Sequence, residues 1–217
     1  GNLAATTDAN NGVINFTALA VNGTVAVTTN GSGNATLVND AGLNFAASTV
    51  GGVLNATATT GNMTDSGALA ITGTTTLTTS ANNATIALDT TTNAFTGAVT
   101  ITTNDNSGTD SDVTIDGGTT ALVLGDSTID GDVTLTSTAT GTTGITDTGT
   151  LNIRGTTTIS ASGIDVTLNS TANRFQGSIA IDGSDVVVVN ANSTTDLAAS
   201  TVTGTYTLTA RGSVTDS

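Results

Sequence analysis

Apolar and polar residues alternate with period two along almost the whole chain, and one phrase of that alternation keeps returning. In Phe175-Gln176-Gly177-Ser178-Ile179-Ala180-Ile181 an apolar residue precedes a glycine by two places, and two more follow it at the second and fourth. The phrase recurs as Val21-Asn22-Gly23 into Val25 and Val27, Phe95-Thr96-Gly97 into Val99 and Ile101, Ile129-Asp130-Gly131 into Val133 and Leu135, and Val202-Thr203-Gly204 into Tyr206 and Leu208. Ile71-Thr72-Gly73 and Ile153-Arg154-Gly155 carry it with Thr75 and Thr157 at the first of the later apolar places, and Val50-Gly51-Gly52 into Leu54 and Ala56 is a softer copy. Short alternating segments bounded by Gly, Asn and Asp are strand and turn signals, and no stretch keeps a helical period.

Repetition on this scale overrides the length prior for one or two ordinary domains, because a repeat array grows by stacking units. The expected fold is all-β: a right-handed parallel β-helix, or β-solenoid, of about nine coils of roughly 24 residues, each with three short strands and three corners. At the ~4.8 Å spacing of paired strands, nine coils rise ~43 Å. Phe95, Ile101, Ile129, Leu135, Phe175, Ile181, Val202 and Leu208 are expected in the core, and Gly23, Gly52, Gly73, Gly97, Gly131, Gly155, Gly177 and Gly204 at corners.

A Thr-Asp-(Ser/Thr) signal divides this single solenoid into modules 1–66, 67–148 and 149–217. Gly1-Asn2-Leu3 opens the chain much as Gly67-Ala68-Leu69 and Gly149-Thr150-Leu151 open the later modules, so the last residue is expected to hand over in phase to the first. Lacking a signal peptide and an initiator Met, Gly1 reads as the start of a mature chain or of an excised segment. Uncapped ends of a solenoid expose apolar atoms and unpaired backbone, which makes them polymerisation surfaces. The expected partner is another copy of the chain, head to tail, joined covalently or stacked as a separate subunit. Residues 105–126 read as an insertion, a hairpin or longer loop with Val113-Thr114-Ile115 as a strand.

Composition narrows the chemistry. The net charge is −14 with three cationic side chains, Arg154, Arg174 and Arg211, which excludes the basic face that nucleic acid requires. No apolar run approaches the roughly 20 residues of a membrane helix. Without Cys there are no disulfides or thiolate metal sites, and without His, Cys, Lys or Glu general acid–base and nucleophilic catalysis have few candidates, so no enzyme is expected. Every acidic residue is Asp. Asp130 and Asp132 flank a motif glycine and are expected close together on an outer face as solvated turn charge. Asp105, Asp110 and Asp112, with Asn104 and Asn106, form the densest cluster of hard oxygen ligands, the donor type calcium prefers. Their spacing does not match an EF-hand, and a flexible acidic loop is the competing reading.

Gly67-Ala68-Leu69-Ala70-Ile71-Thr72-Gly73-Thr74-Thr75-Thr76-Leu77, followed by Asn93-Ala94-Phe95-Thr96-Gly97-Ala98-Val99-Thr100-Ile101, resembles the repeats of filamentous-haemagglutinin-type bacterial surface adhesins, the two-partner-secretion-like giant exoproteins. That resemblance implies a parallel β-helix displayed outside a prokaryotic cell, in a long rod serving adhesion, aggregation or matrix formation. The function expected on these grounds is that of a non-enzymatic extracellular structural protein whose segments stack end to end into a rod or filament. The alternative is an adhesin that binds glycans or cell surfaces. A third reading takes Thr74, Thr76 and Thr78, then Thr156, Thr158 and Ser160, then Thr205, Thr207 and Thr209, as one hydroxyl-bearing face like that of ice-binding solenoids, against the plain β-propensity of Thr.

Overall fold

The computed structural model describes residues 1–106 and 110–217, and every regular element among them is a strand. Burial follows the alternation: in Ala35–Asn39 the first, third and fifth side chains are buried and the others half-exposed. Each strand pairs in parallel with its counterpart one coil on, so Leu37 stands opposite Ala56, Ala56 opposite Leu77 and Leu77 opposite Ile101. Apolar residues thereby stack on apolar residues along the axis, giving one continuous core from Ile14 to Val188. The chain is an all-β parallel β-solenoid of about ten coils. Coil length varies, from 18 residues where Ile179 faces Leu197 to 27 where Ile86 faces Val113. Steps such as Ile14 to Ala35, 21 residues, leave room for ten coils where nine were expected.

The coil is flattened into two long faces rather than three equal ones. A first face runs from Leu3–Thr6 through Thr24–Thr28, Leu43–Phe45, Met63–Asp65, Ile86–Leu88, Val113–Asp116, Val133–Thr136, Thr157–Ser160, Ile179–Gly183 and Thr194–Leu197 to Ser213–Asp216. A second runs from Ile14–Leu19 through Ala35–Asn39, Leu54–Ala58, Thr75–Asn82, Val99–Asn104, Leu122–Leu124, Thr143–Asp147, Asp165–Leu168 and Val186–Asn190 to Tyr206–Ala210.

Third strands arise where a face strand splits. Thr24–Thr28 pairs at its start with Leu43–Phe45 and at its end with Ser48–Val50. Val99–Asn104 does the same with Leu122–Leu124 and Ser127–Ile129, and Ile179–Gly183 with Thr194–Leu197 and Thr201–Val202. At each bend the middle N–H loses its carbonyl, and a serine replaces it. Val27, Ile101 and Ile181 N–H donate to the Oγ of Ser48, Ser127 and Ser200 at 3.1, 3.1 and 3.0 Å. Each hydroxyl then donates to the carbonyl two residues before it, on Ala46, Gly125 or Ala198.

The first and third splits lie on the first face and the middle one on the second. From one split to the next the chain makes three and a half coils. The same sequence feature therefore changes face at each repetition: Val99 and Ile101 point inward from the second face, whereas their counterparts Val25, Val27, Ile179 and Ile181 point inward from the first. Residues expected to form an inserted hairpin belong instead to this regular path. Val113–Asp116 is a strand, but an in-line one, paired in parallel with Ile86–Leu88 and Val133–Thr136. The part of that expectation that falls on 107–109 lies outside the described residues.

Candidate functional site

Among the residues singled out from the sequence, Phe95, Ile101, Ile129, Leu135, Phe175 and Ile181 are at most 2% exposed, while Val202 and Leu208 are partly buried against the end of the core. The motif glycines stack on one another. A Cβ on Gly73 or Gly97 would lie 2.5 Å from the backbone carbonyl of the glycine one coil earlier, Gly52 or Gly73, and Gly155 meets Gly131 in the same way. Left-handed φ occurs at Gly31, Gly118 and Gly163, not at these positions. Close passage of successive coils, rather than turn geometry, is what the motif glycine serves. Gly23, Gly52, Gly177 and Gly204 are equally tight, Gly204 against the Asp185 carboxylate.

Polar side chains at the corners reach along the axis to the next coil. Asp112 Oδ1 accepts the N–H of Asp132 at 2.9 Å, and Asp132 Oδ1 accepts that of Thr156 at 2.7 Å. Asp165 serves Asp185, Asp185 serves Thr205, and Asp126 serves Thr150. Asn2, Asn34 and Asn62 do the same for Thr24, Val53 and Thr85. A one-carbon stem is long enough to span the strand spacing and short enough to stay in the corner, which accounts for Asp in place of Glu.

A second polar device joins two sequence signals far apart in the chain. Asn93 is buried; its Oδ1 accepts Leu69 N–H at 2.8 Å and its Nδ2 donates to Asp65 at 2.6 Å. Asn173 repeats this with Leu151 and Asp147 at 2.8 and 2.5 Å. The Thr-Asp-(Ser/Thr) signal and the Asn-x-Phe signal are thus two halves of one inter-coil clamp. Nothing in the spacing announced it, because the two are brought together only by the stacking.

Asp130 and Asp132 have separate roles. Asp130 is buried, accepts Asp105 N–H at 3.1 Å and pairs with Arg154 Nε at 3.3 Å, whereas Asp132 is exposed and holds the Thr156 corner. Of the calcium candidates, Asp105 is buried, and Asp110 and Asp112 are exposed. Among the described residues no three carboxylates converge at metal-binding distance.

The three threonine groups do not share a face. Thr76 and Thr78 lie on the second face in register with Thr100 and Thr102, Thr158 and Ser160 on the first beside Ala180 and Asp182, and Thr207 and Thr209 back on the second beside Val187 and Val189. The half-coil remainder of each repeat separates them, so the single hydroxyl-bearing face expected of an ice-binding solenoid is not formed. Tyr206, whose hydroxyl has no hydrogen-bond partner, is half-buried, and desolvation raises its pKa above the usual tyrosine value.

Compared with known protein families, the chain matches repeats of unknown function (DUF5649) over residues 32–102, 110–182 and 183–217, and it belongs to that family. The first two matched segments each run from the loop before a face strand, Ala35–Asn39 or Val113–Asp116, through three and a half coils to a strand that splits. Searches of curated proteins and of solved structures gave no match.

Proposed function

We propose, taking membership in that repeat family as the premise, that the chain is a non-enzymatic structural segment that stacks end to end into a rod or filament outside the cell. The observation that carries this reading is where the polar side chains are spent. Corner Asp and Asn residues and the buried Asn93 and Asn173 bond the neighbouring coil, so the features that look like a site in the sequence serve to hold coil to coil. An acidic, Thr-bearing exterior keeps such a rod hydrated and discourages lateral clumping. The extracellular setting carries over the resemblance of residues 67–77 and 93–101 to filamentous-haemagglutinin-type exoproteins. Electron microscopy of the purified chain at moderate salt tests the proposal. Unbranched rods growing in steps of ~50 Å, ten to eleven strand spacings, are the expected result. Discrete particles that bind a glycan saturably would replace it with the adhesin reading.

A further inference from the structure

The final strands of the two faces, Tyr206–Ala210 and Ser213–Asp216, have a pairing partner on one side only among the described residues, as do Leu3–Thr6 and Ile14–Leu19 at the other end. Apolar groups remain uncovered at both edges: Tyr206, Leu208 and Leu197 are half-buried at one, Leu3 and Phe16 at the other, and Val214 is 51% exposed. We infer that these two edges fit each other in one particular register, with the faces exchanged. Leu3–Thr6 of a second copy docks on Tyr206–Ala210, and its Ile14–Leu19 docks on Ser213–Asp216. This rests on the end-to-end stacking proposed above and specifies its joint.

The register comes from the repeats inside the chain. Tyr206 follows Val186 as Leu54 follows Ala35 and as Val133 follows Val113. What stacks next on Leu54 and Ala56 is Thr75 and Leu77, and on Val133 and Leu135 it is Thr157 and Ile159. Tyr206 and Leu208 therefore call for a strand of that type.

The first coil supplies one. Leu3 and Ala5 face Val25 and Val27 as Thr75 and Leu77 face Val99 and Ile101. Thr7 Oγ1 donates to Gly12 O at 3.2 Å as Thr79 Oγ1 donates to Ala84 O at 3.2 Å, and Asn11, at φ 61°, turns the chain as Asn83 does at φ 60°. Ile14 then faces Ala35 as Ile86 faces Val113. Because Ile86 stacks on Met63, and Val214 occupies the place of Met63, Ile14 covers Val214.

The predicted neighbours across the joint are Leu3 with Tyr206, Ala4 with Thr207, Ala5 with Leu208 and Ile14 with Val214. Leu3–Thr6 belongs to the first face and Tyr206–Ala210 to the second, so each copy exchanges the faces of the one before. The axial step is ~50 Å per copy and the same face returns after ~100 Å, from the strand spacing. The joint has no counterpart of Leu69–Ile71, which stacks on Ser48–Val50, so a notch one short strand deep stays over Thr201–Val202.

The native chain contains no cysteine, so a disulfide can report the register. Ala4 and Thr207 are both exposed. In register their Cα atoms would lie ~4.8 Å apart, within the ~4.4–6.8 Å a disulfide spans; two residues out of register they would be ~8 Å apart. The Ala4→Cys, Thr207→Cys double variant under oxidised glutathione should form ladders of linked copies on a non-reducing gel, at least tenfold more than Ala4→Cys, Thr209→Cys. A mixture of the two single variants Ala4→Cys and Thr207→Cys should stop at linked pairs. Equal linkage in both double variants, or preference for the second, in material that forms rods, overturns the register and leaves the rod standing. Wild-type chain that stays monomeric at all concentrations overturns the stacking itself.

Discussion

Replacing Thr157 by valine is expected to stabilise the solenoid. Thr157 is 1% exposed and stands between Val133 and Ile179; its counterpart Thr75 is fully buried between Leu54 and Val99. Neither Oγ1 has a hydrogen-bond partner. A hydroxyl buried without one costs ~1–3 kcal/mol on scales drawn from protein variants. Valine keeps the β-branched shape that the strand favours and puts a methyl among methyls. Each substitution is worth ~1.5 kcal/mol on that basis. The two sites are three and a half coils apart, ~17 Å along the axis, so their effects should add to within ~0.5 kcal/mol, giving ~3 kcal/mol for the double variant. In a chain of this size each kcal/mol moves Tm by ~2–4 °C, so the double variant should melt ~6–12 °C higher. Circular dichroism melts at several protein concentrations measure this and separate it from assembly. A lower Tm for either valine would mean that the hydroxyl has a partner, and the inward placement of these threonines would be refuted.

Deleting a hydroxyl at a split should act in the opposite direction. Ser127→Ala strands the buried Ile101 N–H and the Gly125 carbonyl together, and a loss of ~2–3 kcal/mol in the same melts is expected. Phe175→Asp places an unpaired charge at a side chain that is 1% exposed, and local loss of the β signal with disappearance of rods should follow; an unchanged Tm would disprove its inward orientation. Tyr206 supplies a pH dependence: its folded pKa is raised, so its contribution is intact below the unfolded value of about 10 and is lost as pH rises through the folded value. Stability titrated from pH 8 upward should fall there, and Tyr206→Phe should flatten that part of the curve.

Much of this architecture is written in the alternation itself. Strand, corner and inward residue follow from period two and from the glycine phrase, since burial on one side and close stacking at a corner each leave a local mark. Which face a strand joins leaves none. Thr76 and Thr158 sit in almost identical sequence, and only the count of half-coils between them sends one to the second face and the other to the first. For the same reason the insertion expected at 105–126 is a regular stretch in which a face strand splits at Ser127. The carboxylates were illegible differently. An Asp at a turn reads as solvated charge, and the N–H that it accepts belongs to a residue some twenty places on, as Asp132 does with Thr156, 24 residues away. Asn93 and Asp65 belong to signals recognised separately, and their meeting depends on coil length, which varies along the chain.

The half-coil remainder of the repeat makes the parity of repeat number matter. Duplicating one repeat lengthens the rod and also turns over the display of everything beyond it, whereas duplicating a pair lengthens it and leaves the display as it was. A partner that reads one side of such a rod meets only alternate repeats, so substitutions in the unread ones go unnoticed by that partner. Selection for a one-sided surface would then act on odd and even repeats separately, and each class would drift toward its own sequence while sharing the same core.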